Sequence, residues 1–565
     1  MAQNWDFIIV GSGPAGSALA SRLAQTSAKP RILLLEAGPR KDDPALRISG
    51  KRWTTFQNVD TNWGYKTVPQ AHCNGREIDY SRGKVLGGSS AINFCVYSVG
   101  AKDDYDAWSE QVGDERFSWS NMQRRFIGLE NFDMEIKNER YKSFANPDPA
   151  VHGTSGGLKL SYAETWEEDI PLIVDAIRQA GYEWNGDHNS GNPIGVALGI
   201  NSVSKGVRTT AQDLLTSAGK NLEVMAGKSV RRVVFDGKRA IGVEVEAGEI
   251  LTASKEVIIS SGSLDTPKIL MHSGIGPADQ LNQFNIPILQ ALPAIGQNLA
   301  DHPFCPLAFL RKPSTNNRNA FYGNQPAMDA AMGQWLADRT GPWTQHGSQL
   351  IIGWLKSDAV LASPEFAALP SPVRAFLNRP TIPHYEFASH FPLHMVAPGL
   401  LSDYSYVCLS VFAMNEQSRG SVRLQSADPA VPLLFDPNFL SHDYDKRACI
   451  EAVRGALAIS KHDAFAKDTV SVVAAPASES EEDILAYWRE NVQSAWHMTG
   501  TVRMGRDGEE NAAVNQKFQV FGVRGLRVAD MSVVPFLTNN HTQATAYVTG
   551  VTCAEVLIEE YGLDG

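Results

Sequence analysis

Two histidines stand in settings able to move a proton. His497 lies in Trp496-His497-Met498-Thr499-Gly500-Thr501 and His541 in Asn539-Asn540-His541-Thr542-Gln543, both polar clusters among small residues. Imidazole titrates near neutral pH, so one ring can take a hydroxyl proton while another group holds the oxygen. Residue type alone leaves open that each is a satisfied core or surface histidine. A different chemistry is written near the start. Gly11-Ser12-Gly13-Pro14-Ala15-Gly16 has the GxGxxG spacing, and Glu36 follows Gly16 by twenty residues. The first glycine permits a tight turn, the second lets backbone approach a pyrophosphate, and the third lets a helix pack on a strand. A carboxylate at Glu36, followed by Ala37, accepts from ribose hydroxyls and repels a 2′-phosphate. FAD or NAD fits this pattern and NADP does not. Residues Arg82 to Asn93 form another glycine- and hydroxyl-rich loop, without the GK[ST] ending of a P-loop. Its backbone N–H groups could face an anion or a flavin edge, or it could be a plain turn.

These groups need elements to position them. Phe7 to Val10 is a short apolar run, Gly16 to Gln25 a helical stretch and Arg31 to Leu35 a second apolar run, which together open a βαβ unit. Leu222 to Val245 alternates around Asp236-Gly237 as a hairpin does, and Lys255 to Ser260 is a buried-type strand. Leu526 to Ala529 is another short strand, followed by a helical stretch from Ala546 to Glu559. Between them, residues from about 300 to 500 have another texture: a Pro-rich loop region from Pro364 to Pro398 and a helix after Asp443. Ser480 with Asp483 three residues later reads as a capping box.

At 565 residues the chain exceeds one ordinary core, so two intertwined domains are expected. Apolar residues at 43% and charged residues at 20% place it among folded globular chains. The net charge of −11, with basic residues scattered singly, offers no footprint for nucleic acid or an anionic membrane, which leaves a small molecule as partner. Residues 1–10 enter a strand at once, with no room for a signal peptide, and no long uncharged apolar run occurs, so a cytoplasmic location is expected. Six scattered cysteines show no CxxC pair and no metal spacing, and read as reduced buried thiols without a metal site.

Taken in order, the motifs resemble the glucose–methanol–choline (GMC) oxidoreductase family over nearly the whole chain. Residues 82–93 resemble its first signature, and Gly262 to Pro267 with Ser273 to Gly276 its second. Gly296-Gln297-Asn298-Leu299-Ala300-Asp301-His302 is similar to the VGxNLxDH segment, and Gly525 to Asp530, with Ser532 and Pro535, to a late flavin-binding strand. The resemblance implies an α/β fold. A discontinuous Rossmann-like FAD-binding domain (1–160, 215–305 and 510–565) would carry an α+β substrate-binding domain on an antiparallel sheet (161–214 and 306–509).

Family likeness also implies roles. Gly87, Gly88, Ser89 and Asn93, with Val85 and Val96, should line the flavin. Val230 should meet the adenine through its backbone, Asp530 should hold the ribityl–phosphate region, and Thr542 and Gln543 should approach the pyrimidine ring. The HxxGT context makes His497 the base, and His541 occupies the place where relatives use His or Asn to hold the substrate oxygen. Phe94 and Trp496 should wall a substrate pocket that accepts aromatic alcohols, with Tyr385, Phe387 and Phe391 as further candidates. His302 reads as structural. Ile92 stands where some relatives tether FAD through a His, so non-covalent FAD is expected, and Val99 stands where many carry Arg. The implied reaction is FAD-dependent oxidation of a primary or secondary alcohol by hydride transfer, with O2 or another electron acceptor. The alternative is a non-redox relative, a lyase or a dehydrative cyclase. A fatty-acid decarboxylase is disfavoured, because Asn415 replaces the Arg that would anchor a carboxylate.

Overall fold

The first βαβ unit forms as its residue pattern demands. In the computed structural model, which describes residues 4–55, 58–316, 318–322, 324–346, 350–391 and 404–564, strands Asn4–Val10 and Ile32–Glu36 pair in parallel around helix Pro14–Ala24. Pro14 opens that helix at a position whose N–H has no intrahelical partner anyway. The strands are buried on both faces, as their unbroken apolar runs require. They lie in a seven-stranded sheet ordered Leu222–Ala226, Ile32–Glu36, Asn4–Val10, Ile250–Ile259, Arg239–Val245, Val230–Asp236, with Leu526–Val528 beside Ile250–Ile259. Asn4–Val10 thus has a parallel neighbour on each side. A strand order that reverses there opens a crevice at the carboxyl ends. Helix Gln543–Tyr561 packs on Pro14–Ala24 and covers this end.

One expectation is corrected here. Leu222 does not belong to the hairpin: Leu222–Ala226 pairs in parallel with Ile32–Glu36, and only Val230–Asp236 and Arg239–Val245 form the antiparallel pair around Gly237. Alternation marks a half-buried strand without naming its partner.

The second large sheet is antiparallel, ordered Thr469–Ala474, Pro303–Arg311, Ser405–Ala413, Tyr385–Ser389, Ile351–Leu355, Gly195–Leu198. Strand Pro303–Arg311 lies wholly in it, so a division after residue 305 falls inside an element. Helix Asp443–Lys461 packs on one face. The region 364–398, expected as loop, contains helices Pro364–Ala367 and Ser371–Leu377 and strand Tyr385–Ser389, and residues 392–398 lie outside the described ones. Pro364 and Pro372 sit in first helical turns, where a missing N–H costs nothing. Ser480 caps its helix by accepting from the N–H of Asp483, but the Asp483 carboxylate takes the Ser478 hydroxyl, so only half of the box forms. All six cysteines are buried and unpaired.

Candidate active site

A continuous cleft runs from the GxGxxG turn, across the carboxyl ends of the first sheet, to one face of the second. At its first end Gly11 has φ +101°, and a Cβ there would lie 2.4 Å from the Ser260 carbonyl oxygen. A Cβ on Gly16 would lie 2.0 Å from the Gly11 oxygen, so helix and strand pack at glycine distance. Gly13 differs: nothing lies within 4 Å of a Cβ placed on it. The cradle is therefore open where backbone should meet a phosphate, and the N-terminus of helix Pro14–Ala24 adds favourable electrostatics. The Glu36 carboxylate accepts from the Ser12 N–H (3.1 Å) and hydroxyl (2.6 Å) and from the Gly38 N–H (2.8 Å). Burial raises its pKa against these bonds.

Most of the expected cofactor residues reach the cleft: Gly11, Gly13, Pro14, Ala15, Glu36, Ala37, Gly88, Ser89, Asn93, Val96, Val230, Asp530, Thr542 and Gln543. Ser12, Gly16, Val85 and Gly87 do not form its wall, and each stands one layer behind. The Ser12 hydroxyl is committed to Glu36 and to the Gly87 N–H, while Gly87, at φ +97°, starts the turn Gly88–Ala91. Val85 packs on Ala91 and Ile92. Asp530 ties the start of helix Gly262–His272 to the late strand, accepting from Gly262 N–H (2.9 Å), the Thr266 hydroxyl (2.6 Å) and Ser532 N–H (2.7 Å). Asn93 donates to Gln543 Oε1 (3.3 Å) and accepts from Arg208, which braces the loop from behind.

The far end brings His497 and His541 together, their rings 4.9 Å apart and nearly perpendicular. The N–H of His497 donates to Asp301 Oδ1 (2.7 Å), and its Nδ1 is 2.9 Å from Nδ1 of His302. Burial, then His541, His302 and Arg82, hold the His497 imidazole well below its ordinary pKa, so it is neutral near pH 7. His541 is fixed by its N–H to the Ser98 hydroxyl (2.9 Å) and by Nε2 to Glu386 Oε1 (2.9 Å). Asn539, two residues before it, is gripped by Asp104 through two 2.7 Å bonds and by Asn415, so Asn415 braces the His541 loop.

Around this pair stand Phe94, Trp496, Phe391, Phe304 and Phe412. Phe94 stacks on both Phe391 (5.5 Å) and Trp496 (5.9 Å), and Phe304 packs on Phe412 (5.1 Å). Trp496 is locked by its indole N–H to Asp79 (2.8 Å) and by Arg82 on its carbonyl, in a left-handed backbone conformation at φ +59°.

Three residues were missed: Glu386, Phe304 and Phe412. A lone acid in the apolar run Tyr385-Glu386-Phe387 was the available signal, since acids are almost never buried without a partner. Alternation then corrects two candidates. Glu386 faces His541, so Tyr385 and Phe387 point to the other side, where the Tyr385 hydroxyl meets that of Tyr182. His302, read as structural, touches His497 directly. Among the described residues no cluster of His, Cys, Asp and Glu suits a metal, and no helix is long and apolar enough to cross a membrane.

The family models bear on the whole architecture, since that of the GMC oxidoreductase N-terminal part matches residues 5–304 and that of the C-terminal part residues 416–550. The chain belongs to the GMC oxidoreductase family. GMC relatives include a pyranose dehydrogenase of Agaricus xanthodermus, 32% identical over 98% of this chain and 93% of that one. An alcohol dehydrogenase (acceptor) of Pseudomonas putida is 31% identical over 98% and 96%. Among solved GMC-like structures, an FAD-dependent oxidoreductase from Chaetomium thermophilum superposes with a TM-score of 0.87 at 26% identity, over 99% of this chain and all of that one. As a GMC member, the protein is an FAD-dependent oxidoreductase acting on CH–OH groups.

The open space at Gly13 generates a test. Its φ of −64° is ordinary and a Cβ there would meet no protein atom within 4 Å, so Gly13→Val should fold normally yet fail to retain FAD. Absorbance of bound flavin after gel filtration, beside a thermal melt, checks both halves; full flavin loading would remove the phosphate from this turn.

Proposed function

We propose that the protein oxidises a primary or secondary alcohol, aromatic alcohols included, to the carbonyl, with His497 as base and His541 holding the alcohol oxygen. The observation that carries this reading is that two buried imidazoles face one another at the aromatic end of the cleft, each tied at one ring nitrogen. FAD bound along the cleft supplies the hydride acceptor. Everything else falls to the chain. His497, committed to His302 through Nδ1, has Nε2 left to take the hydroxyl proton. His541, committed to Glu386 through Nε2, holds the oxygen by donating from Nδ1, since the single hydroxyl hydrogen goes to His497, and the Glu386 carboxylate balances the charge that a hydrogen on both nitrogens gives that ring. Different neighbours thus divide one residue type between two tasks.

The wall supports the substrate side of the proposal. Relatives of nearly equal identity are a pyranose, an alcohol and a choline dehydrogenase, so overall similarity does not choose among them. Five aromatic side chains surround the histidines, and planar apolar groups fit such walls by offset stacking or edge contacts. We further place the division between FAD-binding and substrate-binding domains along the two large sheets, with the base on the segment that leaves the second sheet at Ser494. Cytoplasmic location accords with six unpaired thiols.

FAD is held without a covalent bond in this reading, since Ile92, a cleft residue, offers no nucleophile at the tethering position. Acid precipitation should leave the yellow colour in the supernatant; colour in the pellet would overturn it.

His497→Ala should keep FAD but slow its anaerobic reduction by a confirmed alcohol ~10²–10⁴-fold, the usual worth of a general base. Substrate affinity should change less, because the proton moves mainly in the transition state. Stopped-flow flavin bleaching is the readout, and an unchanged rate would remove His497 from the base role.

The pH profile follows from the same environment. A base whose pKa is lowered is lost only as pH falls through that lowered value. Reduction should therefore stay flat from about pH 8 through the ordinary imidazole value of about 6.5 and decline only well below it, whereas an acid limb centred at or above that ordinary value would contradict a buried, neutral His497.

A further inference from the structure

The contact between His302 and His497 joins two like atoms, Nδ1 to Nδ1 at 2.9 Å, with the rings 86° apart. A hydrogen bond between two imidazole nitrogens needs a hydrogen on one and a lone pair on the other. Both rings are uncharged near neutrality: burial and the proximity of His541 push His302 down to about 3, and His497 also lies well below its usual value. Two arrangements remain. If His302 donates, His497 carries its hydrogen on Nε2 and has no lone pair for an alcohol proton. If His302 accepts, His497 carries it on Nδ1 and Nε2 is bare.

We infer that His302 is a positioning residue that fixes the tautomer of His497, acting as the acceptor for its Nδ1–H and so leaving Nε2 free as base. This rests on the reading of His497 as base. Two observations favour it. First, once His497 has taken a proton, both its nitrogens carry hydrogen, and only an accepting His302 avoids two N–H groups meeting at 2.9 Å. Second, a His302 that is so hard to protonate accepts the bond without removing the proton, which stays on His497 for return. His302 is wholly buried and its Nε2 has no hydrogen-bond partner among the described residues, so the accepting tautomer is held at the cost of an unpaired N–H. Position is set independently, because the His302 carbonyl accepts from Ala495 N–H (2.9 Å) and the neighbouring Asp301 holds the His497 backbone. The ring is thus not needed to anchor the segment.

The experiment compares His302→Leu, which keeps bulk but has no acceptor, with His302→Asn, whose Oδ1 can replace Nδ1 as acceptor. His497→Ala and the His302→Leu/His497→Ala double variant complete the set, all as FAD-loaded enzyme. Limiting rates of anaerobic flavin reduction and substrate Kd are read by stopped flow, with FAD content and melting temperature alongside. His302→Leu is expected to slow reduction ~10–100-fold, the loss of one charge-assisted hydrogen bond, at an unchanged Kd. His302→Asn should stay within ~5-fold of wild type, the bond being replaced rather than lost. The double variant should be no slower than His497→Ala alone. Where Leu fails to load FAD, His302→Ala takes its place. Equal rates for Leu and Asn, a wild-type rate for Leu, or additive losses in the double variant would each overturn the inference. If His497→Ala itself reduces normally, the base assignment falls and this inference with it; if His497→Ala is slow and His302→Leu is not, only the inference falls.

Discussion

The carboxyl of Asp301 is the constraint on which the reactive end depends. It is buried between two segments far apart in sequence, accepting from the N–H of His497 (2.7 Å) and the hydroxyl of Ser494 (2.5 Å). Ser494 in turn accepts from the Trp496 N–H. On either side the backbones are zipped, Ala300 with Thr499 and His302 with Ala495. Burial pushes Asp301 up to about 6 while its two hydrogen bonds resist, so the group is an acceptor at neutral pH. A buried polar group with its bonds made gives the region one geometry rather than several. That geometry includes a left-handed Trp496, a conformation a bulky residue adopts only when its surroundings dictate it.

Asp301 fixes one half of the site and the second sheet fixes the other. Glu386 and Phe412 lie directly opposite on neighbouring strands, and Phe304 lies opposite Phe412 on the next, so all three project from one face. That face therefore delivers a carboxylate to His541 and two rings to the wall in one register. A slip of one residue would turn all three away and present Tyr385, Phe387 and Val411 instead. The loop carrying His541 comes from the first sheet's side and is held by Asp104 and Ser98. The site thus exists only where the two halves meet.

How much of this was legible beforehand depended on whether a role is local. The glycine spacing specifies its own turn, so Gly11, Gly13 and Gly16 could be read with their tasks attached. His497 and His541 were ambiguous as residues and became readable through their neighbours, Thr499-Gly500-Thr501 and Thr542-Gln543. Glu386 was only half legible: a lone acid in an apolar run signals a buried partner, but that partner lies 155 positions away in the chain, and no local pattern names it. The same holds for His302, whose segment was recognisable but whose contact lies 195 residues away. The Pro-rich stretch misled for a physical reason: proline breaks helix interiors yet suits first turns, and composition does not distinguish the two.

The chemistry follows from the change in character along the cleft. Its first end is backbone and carboxylate, built to hold a phosphate-bearing chain, and its last end is aromatic, built to exclude water. Excluding water around His497 has a cost and a consequence. The cost is a base held well below its ordinary pKa, which is a poor resting place for a proton taken from an alcohol. On the proposed reading, an alkoxide would therefore not accumulate before hydride loss. On that reading the proton would instead be drawn off as the carbon loses its hydride, because only then would the oxygen cease to need it. In the buried setting of His497 and His541 the groups beside them, His302 and Glu386, would act at short range with little solvent screening. If His497 is the base, their placement, more than its intrinsic basicity, would then set how easily the hydroxyl is opened.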